Sequence, residues 1–105
     1  MNKFNHVLIT GASSGIGEAL AIYYASQGIK LLSLCGRNEE RLNKTAEACR
    51  KAGAEVDVRI VDVADKDAVE TWVNDANEKM PLNLVFANAG VATLQETSEN
   101  VRRTF

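Results

Sequence analysis

The sequence predicts an α/β fold, the N-terminal half of a doubly wound parallel sheet with strand order 3-2-1-4, and three observations carry that prediction. The apolar run His6-Val7-Leu8-Ile9-Thr10 is continuous enough for a strand buried on both faces, as parallel sheets require. It passes through Thr10-Gly11-Ala12-Ser13-Ser14-Gly15-Ile16-Gly17 directly into a helical pattern. Short apolar runs then alternate with amphipathic stretches in the order βαβαβαβ, and right-handed crossovers between parallel strands fix their arrangement.

Helix one is expected from about Gly15 to Gln27, because Ile16, Leu20, Tyr23 and Tyr24 recur at helical spacing and Gly28 suits a left-handed C-terminal cap. Lys30 to Cys35 reads as a second buried strand. Asn38, followed by Glu39 and Glu40, gives helix two a cap and a favourable first turn, and Leu42, Ala46, Cys49 and Ala52 form its buried stripe up to Gly53. Strand three, Glu55 to Val61, carries its apolar residues at Val56, Val58, Ile60 and Val61, with one face partly solvated. Asp65 caps helix three, where Val69, Trp72, Val73, Ala76 and Met80 make an amphipathic stripe that Pro81 ends. Strand four is Leu82 to Ala87. The turn Asn88-Ala89-Gly90 and a loop through Glu96 follow, then a fourth helix capped by Thr97 or Ser98 with Val101 and Phe105 on one face. Strand four is thereby expected to remain an apolar edge through which the chain self-associates as a homo-oligomer.

With 105 residues and a net charge of −2 spread along the chain, there is room for one domain and no basic surface for nucleic acid. No apolar run approaches the roughly 20 residues of a membrane span, and no basic-then-apolar leader opens the sequence, so a cytoplasmic protein with a small-molecule partner is expected. Cys35 and Cys49 read as reduced core residues. One histidine and two separated cysteines do not make a metal site.

The glycine-rich turn reads as an anion site. Gly11 lets the strand turn sharply, Gly15 lets the main chain approach a pyrophosphate, and Gly17 lets the helix pack close to the strand. The amides of Ser13 to Ile16 lie at a helix N-terminus, where unpaired N–H groups favour negative charge, and the Ser13 and Ser14 hydroxyls either bond phosphate or ribose or cap the helix. No lysine follows the last glycine, as a triphosphate-binding loop would need. At the end of strand two, where an acid would select NAD, the chain has Gly36 and then Arg37. A guanidinium there can pair with a 2′-phosphate and lie against adenine, which favours NADP over NAD; the competing reading is a loose surface pair with Glu39 or Glu40. After strand three, Asp62 can accept from the adenine amine while the Val63 amide donates to a ring nitrogen, or Asp62 can simply open an Asx-turn.

At these residues the chain resembles the short-chain dehydrogenase/reductase family, which carries Thr-Gly-x3-Gly-x-Gly after its first strand and an Asn-Asn-Ala-Gly motif after its fourth. Here Ala87 replaces the first Asn of that motif. The resemblance implies a Rossmann-like fold, that Asn88 ties strand four to neighbouring backbone, and that Ala89 and Gly90 line the ribose beside the nicotinamide. It also implies an NADP-dependent oxidoreductase that transfers hydride between the cofactor and a carbonyl or alcohol. Many NADP-preferring members add a basic residue just before the middle glycine, where this chain has Ser14. The family's catalytic serine and Tyr-x3-Lys have no counterpart here: Tyr23 is followed four residues on by Gln27, and Tyr24 by Gly28. The chain is therefore expected to be the cofactor-binding fragment of a longer enzyme and inactive alone. Two other classes compete. Methyl transfer from S-adenosylmethionine also uses a glycine-rich turn, but it wants an acid at the end of strand two. A non-catalytic nucleotide-binding or interaction module is the third.

Overall fold

The computed structural model describes residues 5–12, 15–62, 64–87 and 90–93. Its elements are β1 (His6–Ile9), α1 (Gly15–Ser26), β2 (Leu31–Gly36), α2 (Glu39–Lys51), β3 (Glu55–Ile60), α3 (Lys66–Lys79), β4 (Leu84–Ala87) and β5 (Gly90–Thr93). They build one sheet in the order β3-β2-β1-β4-β5, in which the first four strands run parallel as the sequence predicts.

Every residue of β1 and β2 is buried, which is why both read as unbroken apolar runs rather than alternating ones. Successive side chains of β1 point to opposite faces. Val7 and Ile9 join Ala21, Ala25, Leu32, Leu34, Leu42, Ala46 and Cys49 under α1 and α2, while Leu8 joins Val69, Trp72, Val73 and Val85 under α3. Two helices thus cover one face of the sheet and α3 covers the other. Each fully buried leucine contributes roughly 1.5–3 kcal/mol by leaving water. Cys35 and Cys49 are free and buried, and burial pushes their thiols up to about 12 and about 11.

The caps form where the residue types call for them. Asn38 accepts from the Arg41 amide at 3.0 Å and Asp65 from the Ala68 amide at 3.1 Å. Gly28 takes a left-handed φ of 83° beyond the end of α1. Met80, the residue before Pro81, is extended and outside α3, as the proline ring requires.

Five expectations need correction. The largest concerns the edge of the sheet: β4 is not bare, because Gly90–Thr93 folds back antiparallel on it, Ala87 opposite Gly90 and Leu84 opposite Thr93. The segment Gly-Val-Ala-Thr contains two β-branched residues and satisfies the open backbone groups of β4, so the expected loop is a strand and self-association through a free β4 edge loses its basis. In α1 the buried residues are Ala21 and Ala25, whereas Ile16 and Tyr23 are 79% and 54% exposed. This helix is apolar on nearly every side, so spacing alone does not select its core face. Ala52 caps α2 and is exposed; Thr45 takes the buried place instead, its hydroxyl donating to the Arg41 carbonyl. Finally, Ile60 lies exposed at the end of the edge strand β3, and β4 starts at Leu84 rather than Leu82, preceded by Asn83, whose side chain accepts from the amides of Asn5 and His6. The expected fourth helix lies outside the described residues.

Candidate functional site

Because β1, β2, β3 and β4 are parallel, their carboxyl ends lie together, and the singled-out residues follow those ends. Ile9 is in register with Leu34 on one side and Phe86 on the other, and Gly36 with Ile60. The turn after β1 is tied to both neighbours. The Thr10 amide donates to the Phe86 carbonyl at 3.0 Å, and the Ala12 amide to the Cys35 carbonyl at 3.0 Å. Those bonds fix Gly11 and Ala12 at the point where strand order reverses, between β1 and β4, which is where open α/β sheets take their ligands.

All three glycines are required: Gly11 turns the chain with a left-handed φ of 63°, and the other two act for different reasons. Gly15 opens α1 with φ 61°, a left-handed conformation, and, its chain neighbours aside, no atom of the described residues lies within 4 Å of where a Cβ would stand. At Gly17 the same added atom would collide with the carbonyl oxygen of Gly11 and approach the Ala12 Cα to 3.2 Å. That closeness holds the start of α1 hard against the turn. Ile16, between them, is outward-facing at the helix N-terminus. Ser13 and Ser14 lie outside the described residues.

Arg37 follows β2 directly and is exposed, and its guanidinium has no partner among the described residues. The loose pairing with Glu39 or Glu40 is therefore not formed; Glu40 instead lies 3.9 Å from Lys44. Asp62 follows β3. Its Oδ1 accepts from the Ala64 amide at 2.9 Å and its carbonyl from the Asp65 amide at 2.9 Å, so the Asx-turn reading holds, while its other carboxylate oxygen has no partner among the described residues. Val63, Asn88 and Ala89 lie outside the described residues, and Gly90 begins β5.

The arrangement can bind an elongated anion across the ends of three strands. Neither tyrosine of the described residues stands at it. Tyr24 stands nine residues into α1, roughly 13 Å along its axis from Gly15, with its ring packed on Phe86 at 5.7 Å and its hydroxyl pushed above the usual phenol range by burial. No cluster of metal-ligating side chains occurs among the described residues. Sequence reading placed Thr10 at the head of the glycine turn without giving it a role; its backbone ties β1 to β4.

Comparison with known proteins adds to this geometry. A family model described as short chain dehydrogenase matches residues 5–105. A 3beta-hydroxysteroid dehydrogenase of Mediterraneibacter gnavus is 36% identical over 104 residues, covering 96% of this chain and 37% of that protein. A 3-dehydrosphinganine reductase of Arabidopsis thaliana is 40% identical over 90 residues, 85% of this chain and 26% of its own. The chain thus spans 37% and 26% of these two curated relatives. Among solved structures, an NAD+-bound xylitol dehydrogenase superposes with a TM-score of 0.75 at 32% identity over 85% of this chain and 35% of its own. An alcohol dehydrogenase from the archaeon Thermococcus sibiricus, complexed with 5-hydroxy-NADP, gives 0.69 at 36% identity over 77% and 35%.

Proposed function

Because the chain belongs to the short-chain dehydrogenase family, we propose that it is the dinucleotide-binding part of an NADP-dependent oxidoreductase acting on a carbonyl or alcohol. The observation that carries the reading is the glycine turn itself: backbone with an open flank at Gly15, locked against the sheet by Gly17, at the reversal of strand order. The fit to a nicotinamide dinucleotide is good. The amides from Ser13 to Ile16 would hold the diphosphate, Arg37 the adenosine 2′-phosphate, and Asp62 with Val63 the adenine edge. Asn88, Ala89 and Gly90 would flank the nicotinamide ribose. When bound, the nicotinamide supplies hydride chemistry; this chain's own residues bind and orient it. Xylitol and alcohol dehydrogenase neighbours with NAD- and NADP-type ligands support a dinucleotide, and Gly36-Arg37 in place of an acid is what favours NADP. The methyltransferase reading lacks its strand-two acid and gains no support.

The same proposal holds that proton transfer belongs to residues outside this sequence, so the chain alone turns over no substrate. It also places the protein in the cytoplasm, as a homo-oligomer. Fluorescence titration with NADPH and NADH tests the cofactor reading. Tighter binding of NADPH, reduced to parity in Arg37→Ala, is expected; equal affinities in the unaltered protein would contradict the NADP preference.

A further inference from the structure

We propose that Arg41, in the first turn of α2, is a second specificity-determining residue for the 2′-phosphate, acting with Arg37 at the same gap. The inference rests on the dinucleotide reading above and goes beyond it in the residue it names.

The described arginines divide into two kinds. Arg50 donates to the Val56 carbonyl at 3.2 Å and Arg59 to Asp75 at 3.1 Å, whereas the guanidiniums of Arg37 and Arg41 have no partner among the described residues. Backbone and side chain of Arg41 have separate duties. Its amide closes the cap on Asn38 at 3.0 Å, which fixes the first turn of α2 beside Arg37, while its side chain is exposed and uncommitted.

Helix geometry says which way that side chain leaves. Leu42, Ala46 and Cys49 face the sheet, and Arg50 leaves α2 over β3, where it meets Val56. A residue nine positions earlier in a helix of about 3.6 residues per turn lies half a turn round. Arg41 therefore rises from the flank away from β3, the flank against which α1 packs. Both α1 and α2 begin at the carboxyl ends of the parallel strands, so this flank borders the gap between the glycine turn and Arg37.

Charge gives that position its use. Neither Arg37 nor Arg41 has an ion-pair partner among the described residues, so the two guanidiniums are free to meet a dianionic phosphate. Glu18, in the first turn of α1, is the acid that competes for Arg41, and no ion pair joins the two among the described residues.

The experiment is a set of binding titrations with NADPH and NADH on the 105-residue chain, its Arg37→Ala, Arg41→Ala and Arg41→Lys variants, each with a thermal unfolding curve. Arg41→Ala should weaken NADPH about tenfold, the loss of one charge-assisted hydrogen bond at the lower end of its range, and leave NADH and the unfolding midpoint unchanged. Arg41→Lys should recover part of the loss. If Arg37→Ala removes the preference for NADPH while Arg41→Ala leaves it intact, the role of Arg41 is overturned and the cofactor reading stands. If Arg41→Ala lowers the unfolding midpoint and both affinities together, Arg41 is a structural partner of Glu18 and the proposal fails. If the unaltered chain binds the two cofactors equally, the underlying NADP reading fails, and Arg41 with it.

Discussion

His6 and Ser33 face each other across β1 and β2, with the imidazole Nε2 2.7 Å from the Ser33 hydroxyl in a wholly buried contact. The other ring nitrogen settles the direction of that bond. Nδ1 lies 2.6 Å from the Met80 carbonyl oxygen, which only accepts, so Nδ1 carries the proton and Nε2 accepts from serine. One side chain thus joins β1, β2 and the corner between α3 and β4 at the pole of the sheet away from the glycine turn.

Protonating that ring would place a charge in the core and leave Nε2–H facing a hydroxyl that now donates to it. Burial accordingly holds His6 below its ordinary value of 6.5, outweighing the opposite pull of the Met80 carbonyl and of Asp57, with Lys79 adding to the depression. The unfolded chain binds the proton more readily, so the contribution of His6 to stability is fully present above about pH 6.5 and is lost as pH falls towards its folded value. Thermal unfolding between about pH 7 and about pH 5 should show a falling midpoint, and His6→Gln should be less stable at neutral pH by about 1–3 kcal/mol with a flatter slope. An unchanged slope in the variant would show that other groups carry the acid sensitivity.

Gly15 and Gly17 separate two costs that a glycine motif usually mixes. Alanine at Gly15 meets no atom but must adopt φ near 61°, which costs about 1 kcal/mol. Alanine at Gly17 has an ordinary backbone and no room, so the Gly11 carbonyl must move, at about 1–3 kcal/mol or more. Denaturant unfolding of the two variants should rank Gly17→Ala as the more damaging. Dinucleotide titration should show that Gly17→Ala also loses affinity, because the displaced carbonyl belongs to the turn itself. The reverse ranking would mean that strain rather than packing controls the turn.

Much of this fold is legible in the residues, and the failures have identifiable physical causes. The unbroken apolar runs of β1 and β2, the caps at Asn38 and Asp65 and the left-handed Gly28 are local signals with a single physical reading. The core face of α1 was not legible, because a helix apolar on nearly all sides gives no stripe, and small residues rather than large ones face a closely packed strand. Nor was β5, since a four-residue strand acquires its identity from pairing with β4 and not from its own pattern. The anchoring of His6 and Asn83 depends on contacts more than seventy residues apart in sequence, which no window along the chain contains. At the site, the positions of Gly11, Gly15, Gly17, Arg37 and Asp62 followed from placing each at a strand end. The use of Arg41 required knowing which flank of α2 meets β3 and which meets α1.

The central claim is that the turn after β1 holds a dinucleotide whose adenosine end lies at Arg37, and an amide-resolved NMR titration of the chain with NADP+ tests it most directly. The account predicts saturable shifts gathered at Gly11, Gly15, Gly17, Arg37, Arg41 and Asp62, with His6, Ser33 and Met80 at the far pole unmoved. Shifts scattered over the surface, or none at these residues at saturating cofactor, would contradict it.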